Sequence, residues 1–239
     1  MRKRTILLVC IVMLALVFLT FFYFSNIDTS NFSGSNGLTT GQKCDAIFIG
    51  LTASDMGNMV LLNPGNFRVG PVSSLGSGGY NGITGYINTT DLLVQVPVTF
   101  NNGAAWFAQY YLVYVDLTKH NVMGTEFADA HHTPAFVQAN IPPGTGWYHE
   151  LGSNGLNNVN FQVIYDNGSP IIMPVFLDSE NLQRALNGET YQTINVSLNV
   201  TPDQNMVNGS LHGNEDRYLL IQNDGENTTG TEIRFFQGY

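Results

Sequence analysis

The side chains best suited by type to do chemistry are His131 and His132, with Glu126 and Asp129 just upstream. Imidazole nitrogens and carboxylate oxygens are common ligands of zinc and copper, and a site needs three or four of them converging on one ion. Adjacent residues of a strand face opposite ways, so both imidazoles reach one metal only from a loop, which Thr133-Pro134 favours. His120, His149 and Glu150 are the groups that folding could add. The expectation is therefore a plain solvated loop with no cofactor, and a metal site at His131, His132 and Asp129 is the sharper alternative. A blue-copper centre needs a Cys followed closely by His, and Cys44 has no His within the next seventy residues.

Seven Asn-x-Ser/Thr acceptors occur, at Asn31, Asn88, Asn167, Asn195, Asn199, Asn208 and Asn227. In an exported protein such sequences accept N-linked glycans when they lie on the surface. Asn167 and Asn227 fall in expected turns, and Asn195 and Asn199 on the polar face of an expected strand. The aromatic run Trp106, Phe107, Tyr110, Tyr111 and Tyr114 is divided by alternation between two faces. If Phe107 and Tyr111 are exposed, they form a patch for a sugar or a protein partner.

No Gly-x-Ser-x-Gly elbow, phosphate-binding Gly-Lys-Ser/Thr loop or His-Glu-x-x-His sequence is present. The turns Asn223-Asp224-Gly225-Glu226-Asn227 and Asn214-Glu215-Asp216 offer oxygen ligands for calcium without the spacing of an EF-hand. The chain carries nine basic and eighteen acidic side chains. Three of the basic ones precede residue 6, which leaves six against eighteen beyond it, a net of −12. A phosphate-binding surface needs clustered Lys and Arg, so nucleic acid is not a partner. With so few cations to repel one another, the surface should tolerate protonation of its carboxylates.

The elements that must position these groups read as β. Leu92–Phe100 alternates with Val94, Val96, Val98 and Phe100 on one face, and Pro97 marks an edge or a bulge. Trp106–Leu117 follows across Asn101-Asn102-Gly103. Val159–Tyr165 alternates and returns through Asp166-Asn167-Gly168-Ser169 into Ile171–Leu177. Thr190–Thr201 alternates throughout, and Arg217–Gln222 and Thr231–Gln237 read as a last hairpin across Asn223-Asp224-Gly225. One helix is expected, capped by Asp178 or Ser179, with Leu182, Ala185 and Leu186 on a shared face and Asn187-Gly188 as its stop. The fold class is all-β: a β-sandwich of jelly-roll or immunoglobulin-like type with one short helix. Cys44 is the one cysteine beyond the first 24 residues and reads as a buried thiol.

Ahead of this domain, Ile6 to Phe24 contains neither a charge nor a proline and follows Arg2-Lys3-Arg4. As a helix it would be about 28 Å long, close to the ~30 Å apolar core of a bilayer. Tyr23 and Phe24 leave no small-residue cleavage site, so an uncleaved anchor is expected, with the basic residues 1–5 cytoplasmic and the remainder extracellular. Residues 25–42 read as a flexible linker with a reach of about 23 Å, and residues 43–239 as the domain. These features imply a membrane-anchored, non-enzymatic surface protein whose β-sandwich makes structural, adhesive or assembly contacts. Its partners would be the bilayer and other surface or membrane proteins, copies of itself included. The alternatives are a subunit of a filament or virion coat, and a metal-binding accessory subunit of a membrane enzyme complex.

Overall fold

The computed structural model describes residues 25–32, 37–52, 54–62, 65–75, 84–87, 89–100, 109–128, 134–151, 158–212 and 217–237. The expected anchor at 6–24 lies outside them. Among the described residues no single helix is long and apolar enough to cross a membrane.

The fold is all-β, built on two antiparallel sheets. The larger runs in the order β1 (Phe67–Val69), β4 (Leu93–Phe100), β5 (Gln109–Asp116), β6 (Asn121–Ala128), β7 (Pro134–Ile141), β14 (Thr229–Gln237), β9 (Asn158–Tyr165), β12 (Met206–His212) and β11 (Leu198–Thr201), with β2 (Ser73–Ser74) also paired to β4. The smaller runs β10 (Val175–Leu177), β13 (Arg217–Gln222), β8 (Gly146–Leu151) and β3 (Thr84–Ile87). One core unites the sheets: Tyr114, Val137, Phe161, Val163 and Ile233 from the larger meet Trp147, Phe176, Leu219 and Ile221 from the smaller. Along β9 the expected alternation holds, with Val159, Phe161, Val163 and Tyr165 all turned inward.

Among the described residues three α-helices cover outer faces, where one was expected. The expected one, α3 (Ser179–Leu186), forms as read: the Asp178 side chain accepts from the Asn181 N–H at 2.7 Å, and Leu182 and Ala185 are buried against the small sheet. Gly188, at φ 70°, then stops it in a left-handed conformation that favours glycine. The other two, α1 (Thr40–Thr52) and α2 (Ser54–Leu62), occupy a stretch expected to be β from Asp45 onward. They lie on the outer face of the large sheet, where Ala46, Ile47, Leu51, Met56 and Val60 pack with Val94, Val96, Val98, Val113 and Val115. Strand β4 is thus covered on both faces, and Gln95, on the face opposite Val94 and Val96, is buried.

Helix α1 starts with a reciprocal cap. The Gln42 N–H donates to Thr39 Oγ1 at 3.2 Å, and the Thr39 N–H donates back to Gln42 Oε1 at 2.8 Å. Loss of the hydroxyl in Thr39→Ala is expected to lower stability by about 1 kcal/mol, read as a shift in the urea midpoint without a change in slope. Cys44, expected to be a buried thiol, is a half-exposed free thiol on this helix.

The linker expected over residues 25–42 is folded onto the domain wherever it is described. Ile27 bridges Val69 in parallel, the Val69 N–H donates to the Asn26 carbonyl at 2.7 Å, and the Asp28 N–H donates to the Val69 carbonyl at 2.9 Å. Leu38 is buried, and the fully buried Lys43 Nζ donates to the Ser30 carbonyl at 3.2 Å. This strap covers a defect in the sheet edge. Between β1 and β2 the pairing with β4 slips by one residue around Gly70–Val72, opposite Pro97, which has no N–H to offer. Pro97 therefore marks a bulge, one of the two readings its sequence allowed.

Three expected pairings differ from the structure. Ile171–Leu177 narrows to β10 and pairs with β13 of the small sheet, because Pro170 and Pro174 remove donors from the return path. Thr190–Thr201 is a strand only over β11: Ile194 bridges Phe176 in the small sheet while Leu198–Thr201 pair with β12 in the large one. The strands β13 and β14 belong to different sheets. Their connection is an arch pinned by Asn223, whose amide donates to the Ile141 carbonyl at 2.7 Å and the Asn227 carbonyl at 2.8 Å.

Candidate functional site

Strand directions sort the loops into two groups. At one end of the large sheet lie Phe100, Ala128, Pro134, Asn158 and Gln237; at the other lie Asp116, Ile141, Tyr165 and Thr229. Asp129, His131 and His132, between β6 and β7 in the sequence, lie outside the described residues. Phe107 and Asn88 are also outside them, as is the turn Asn214-Glu215-Asp216. Among the described residues no group of three His, Cys, Asp or Glu side chains is placed to hold a metal. The turn at 223–227 does not gather its oxygens on one point: Asn223 is buried as the pin of the arch, while Asp224, Glu226 and Asn227 face solvent.

Glu126, upstream of the histidines, faces the core. Its carboxylate accepts from the Tyr114 hydroxyl at 2.5 Å, and burial raises its pKa above the ordinary range, partly opposed by that hydrogen bond. A folded-state pKa above the unfolded one means that stability is fullest below the unfolded value and falls as pH rises through the folded one. Glu126→Gln should therefore gain on the wild type as pH rises from 4.5, with a slope approaching about 1.4 kcal/mol per pH unit where the carboxyl titrates. Parallel stability curves for the two proteins would show that Glu126 is ionised in the fold.

Tyr111, which exposure would have made half of a partner patch, is half-buried. Its ring meets Phe100 edge-on at 5.7 Å and Phe127 at 4.9 Å, in an aromatic row that continues from Phe100 to Phe67 at 6.4 Å. One face of the ring thus serves packing between strands, so only part of it remains for a partner.

The glycan acceptors divide by burial. Asn31 is fully buried: its Nδ2 donates to the Gly70 carbonyl at 2.9 Å, and its Oδ1 accepts from the Val72 N–H at 2.7 Å. A sugar on Nδ2 cannot coexist with that seat, so Asn31 is a structural clip and not an acceptor. Asn167, in its turn with Gly168 at φ 87°, is exposed, as are Asn195, Asn199 and Asn227. Asn208 is half-buried and directly opposite Asn199 across β11 and β12. Their Cβ atoms lie about 5 Å apart at such a position, room for one glycan and not two.

A polar concavity lies where α1 and α2 stop covering the large sheet. A groove of about 570 Å3 runs between the α1–α2 corner, the β5–β6 turn and the Asp166 turn, bordered by His120, Thr125, Gln138, Asn140, Asp166 and Glu232. Gln138 Nε2 donates to Glu232 Oε2 at 3.1 Å, and Arg234 Nε pairs with Glu232 at 2.5 Å. At its floor Gly124 sits where β5 and β6 slip in register, and a Cβ there would stand 2.2 Å from the Gln138 carbonyl oxygen. The groove offers amides, hydroxyls and carboxylates in a shallow row, which suits hydrogen bonding to a polar surface or a hydroxyl-rich ligand. Nothing in the sequence's local patterns marked it, because its members come from separate strands. No protein-family model, no characterised protein and no solved structure matches this chain.

Proposed function

We propose that the chain is a membrane-anchored, non-enzymatic surface protein that holds a β-sandwich of broadly jelly-roll or immunoglobulin-like type outside the cell for structural, adhesive or assembly contacts. The observation that carries this reading is the apolar segment Ile6–Phe24 behind a basic tip, joined to a two-sheet domain with an amide-rich outer face. Gln138, Asn140, Asn160, Asn199 and Arg234 line that face without a helix over them, which supports contact with polar partners. The exposed acceptors Asn167, Asn195 and Asn227, with one of Asn199 and Asn208, support an exported, glycosylated domain.

Two measurements test it in cells producing the full chain. External protease should remove the domain from intact cells, and deglycosylation should lower its apparent mass if the host glycosylates exported Asn. A domain protected until the cells are lysed would overturn the topology. A filament or coat subunit remains a second reading, supported by the edge strand β11, where Val200 is 37% exposed. Electron microscopy of native surfaces separates the two, since a monodisperse detergent-solubilised monomer counts against assembly.

A further inference from the structure

We propose that the groove beside Gln138 and Glu232 is a binding site for a neutral saccharide. Such a site gives the adhesive contact of the surface protein its ligand class, and rests on that reading for its place outside the cell. The groove itself is formed by described residues alone.

Three departures from regular geometry meet at this one concavity. The first is a bulge: Tyr114 pairs with Gly124 and Val115 with Val122, which leaves Met123 as an extra residue in β6. It is held from the core side, where the Met123 carbonyl accepts from the Tyr86 hydroxyl at 3.1 Å. The second is Gly230, where a Cβ would overlap Asp166 Oδ2, so only glycine lets that carboxylate lie over β14. The third is His120, at φ 55°. Among the described residues only His120 and Asn205 combine a side chain with a left-handed backbone, a strained pairing. Asn205 uses it to donate to the Tyr165 and Asp166 carbonyls, at 3.0 and 2.7 Å, which pins the turn that carries Asp166. The His120 side chain makes no hydrogen bond among the described residues and borders the groove. Bulges and strained residues gather where a fold aims side chains at a ligand.

The lining selects the ligand. No Lys or Arg borders the groove, while Asp166 and Glu232 do, so anionic ligands are repelled. Arg234, not itself a lining residue, already pairs with Glu232, so a cationic ligand finds only Asp166. A carboxylate only accepts, whereas the Gln138 and Asn140 amides both donate and accept. A hydroxyl answers both kinds of group. A sugar carries several hydroxyls on a rigid ring, which keeps the cost of ordering low. Ile49, Met56 and Val122 add an apolar wall for the C–H face of such a ring. At about 570 Å3 the groove lies within the range of roughly 300–1,000 Å3 found for small-molecule sites.

The test uses the full chain in a detergent without a sugar headgroup, isotope-labelled at its methionine methyls for NMR. Neutral trisaccharides of glucose, mannose, galactose and N-acetylglucosamine are each added to about 10 mM, enough to fill a site with a Kd of about 1 mM. At least one should shift the Met56 methyl saturably and leave Met173, 49% exposed outside the groove, unmoved. Gln138→Ala and Asp166→Ala, both at exposed positions, should each weaken that binding roughly tenfold. Glu180→Gln, exposed on α3, should leave it unchanged. The trimer of galacturonic acid, a charged counterpart, should bind more weakly than its neutral galactose equivalent. Silence from all the neutral sugars, joint shifts of Met56 and Met173, or binding indifferent to Gln138 and Asp166 would overturn the site. A galacturonate trimer that binds as well as the neutral sugars would overturn its selectivity for uncharged ligands. These outcomes leave the topology untouched, since protease treatment of intact cells decides that separately.

Discussion

Taking the protein from neutral pH to about pH 3 is expected to remove on the order of 4 kcal/mol of stability through one side chain, His149. His149 lies on β8, fully buried, with its ring stacked at 6.0 Å on Trp147. Burial pushes its pKa down from 6.5 to about 3, since a charged imidazolium would sit in the apolar space between the sheets. The unfolded chain binds that proton first, so the contribution is complete above pH 6.5 and is lost as pH falls toward the folded value. Urea unfolding of the full chain in mild detergent, from pH 7 to pH 4, measures it. Relative to His149→Phe, which keeps a flat ring beside Trp147, wild-type stability should fall by up to about 1.4 kcal/mol per pH unit. Curves that stay parallel would mean that His149 is protonated in the fold.

Asn31→Ala is expected to cost about 2–4 kcal/mol, because it orphans the buried Val72 N–H, at about 1–3 kcal/mol, and the part-buried Gly70 carbonyl, at about 1 kcal/mol. The Gly70 carbonyl loses its donor and the Val72 N–H its acceptor, at the point where β1 and β2 slip against β4. The same change should speed hydrogen exchange at the Val72 amide more than at Val163 in the centre of β9. Asn31→Asp keeps an acceptor for Val72 but turns a carboxylate oxygen toward the Gly70 carbonyl. It should therefore be worse than Ala where that carboxylate is charged. An Asn31→Ala protein within about 0.5 kcal/mol of the wild type would show that the strap is not held through this side chain.

These two residues illustrate how far the sequence could be read. Helix α3 was legible because its cap, apolar face and stop are local signals that agree: Asp178, then Leu182 with Ala185, then Gly188. Strand β9 was legible for the same reason, since alternation is local. Helices α1 and α2 were not, because Ala46-Ile47-Phe48-Ile49 favours a strand by residue type and Phe48, at 70% exposed, breaks the stripe. The pair Thr39 and Gln42 was the one signal that could have found them. Whether a strand returns to its own sheet or crosses to the other is decided by distant partners. The alternation through Thr190–Thr201 and the turn at 223–225 therefore suggested simpler pairings than the structure has. The acceptor pattern at Asn31 matches that at Asn167, and only tertiary burial distinguishes a clip from a surface site. The groove at Gln138 and Glu232 had no local signature at all.

The parallel strap has a mechanical consequence. If residues 6–24 are the anchor proposed above, a tug on them enters the domain at residues 26–28, through the two hydrogen bonds that Val69 makes with Asn26 and Asp28. Those bonds lie at the margin of the sheet, far from the layer shared with Trp147 and Phe176. Strain should peel the strap back as far as Asn31 before it reaches the strands behind, so a tethered molecule lengthens by a few residues and keeps its body intact. Rupture of the whole domain would then be governed by its slower unfolding rate, with the strap acting as a shock absorber that re-forms when the load is released.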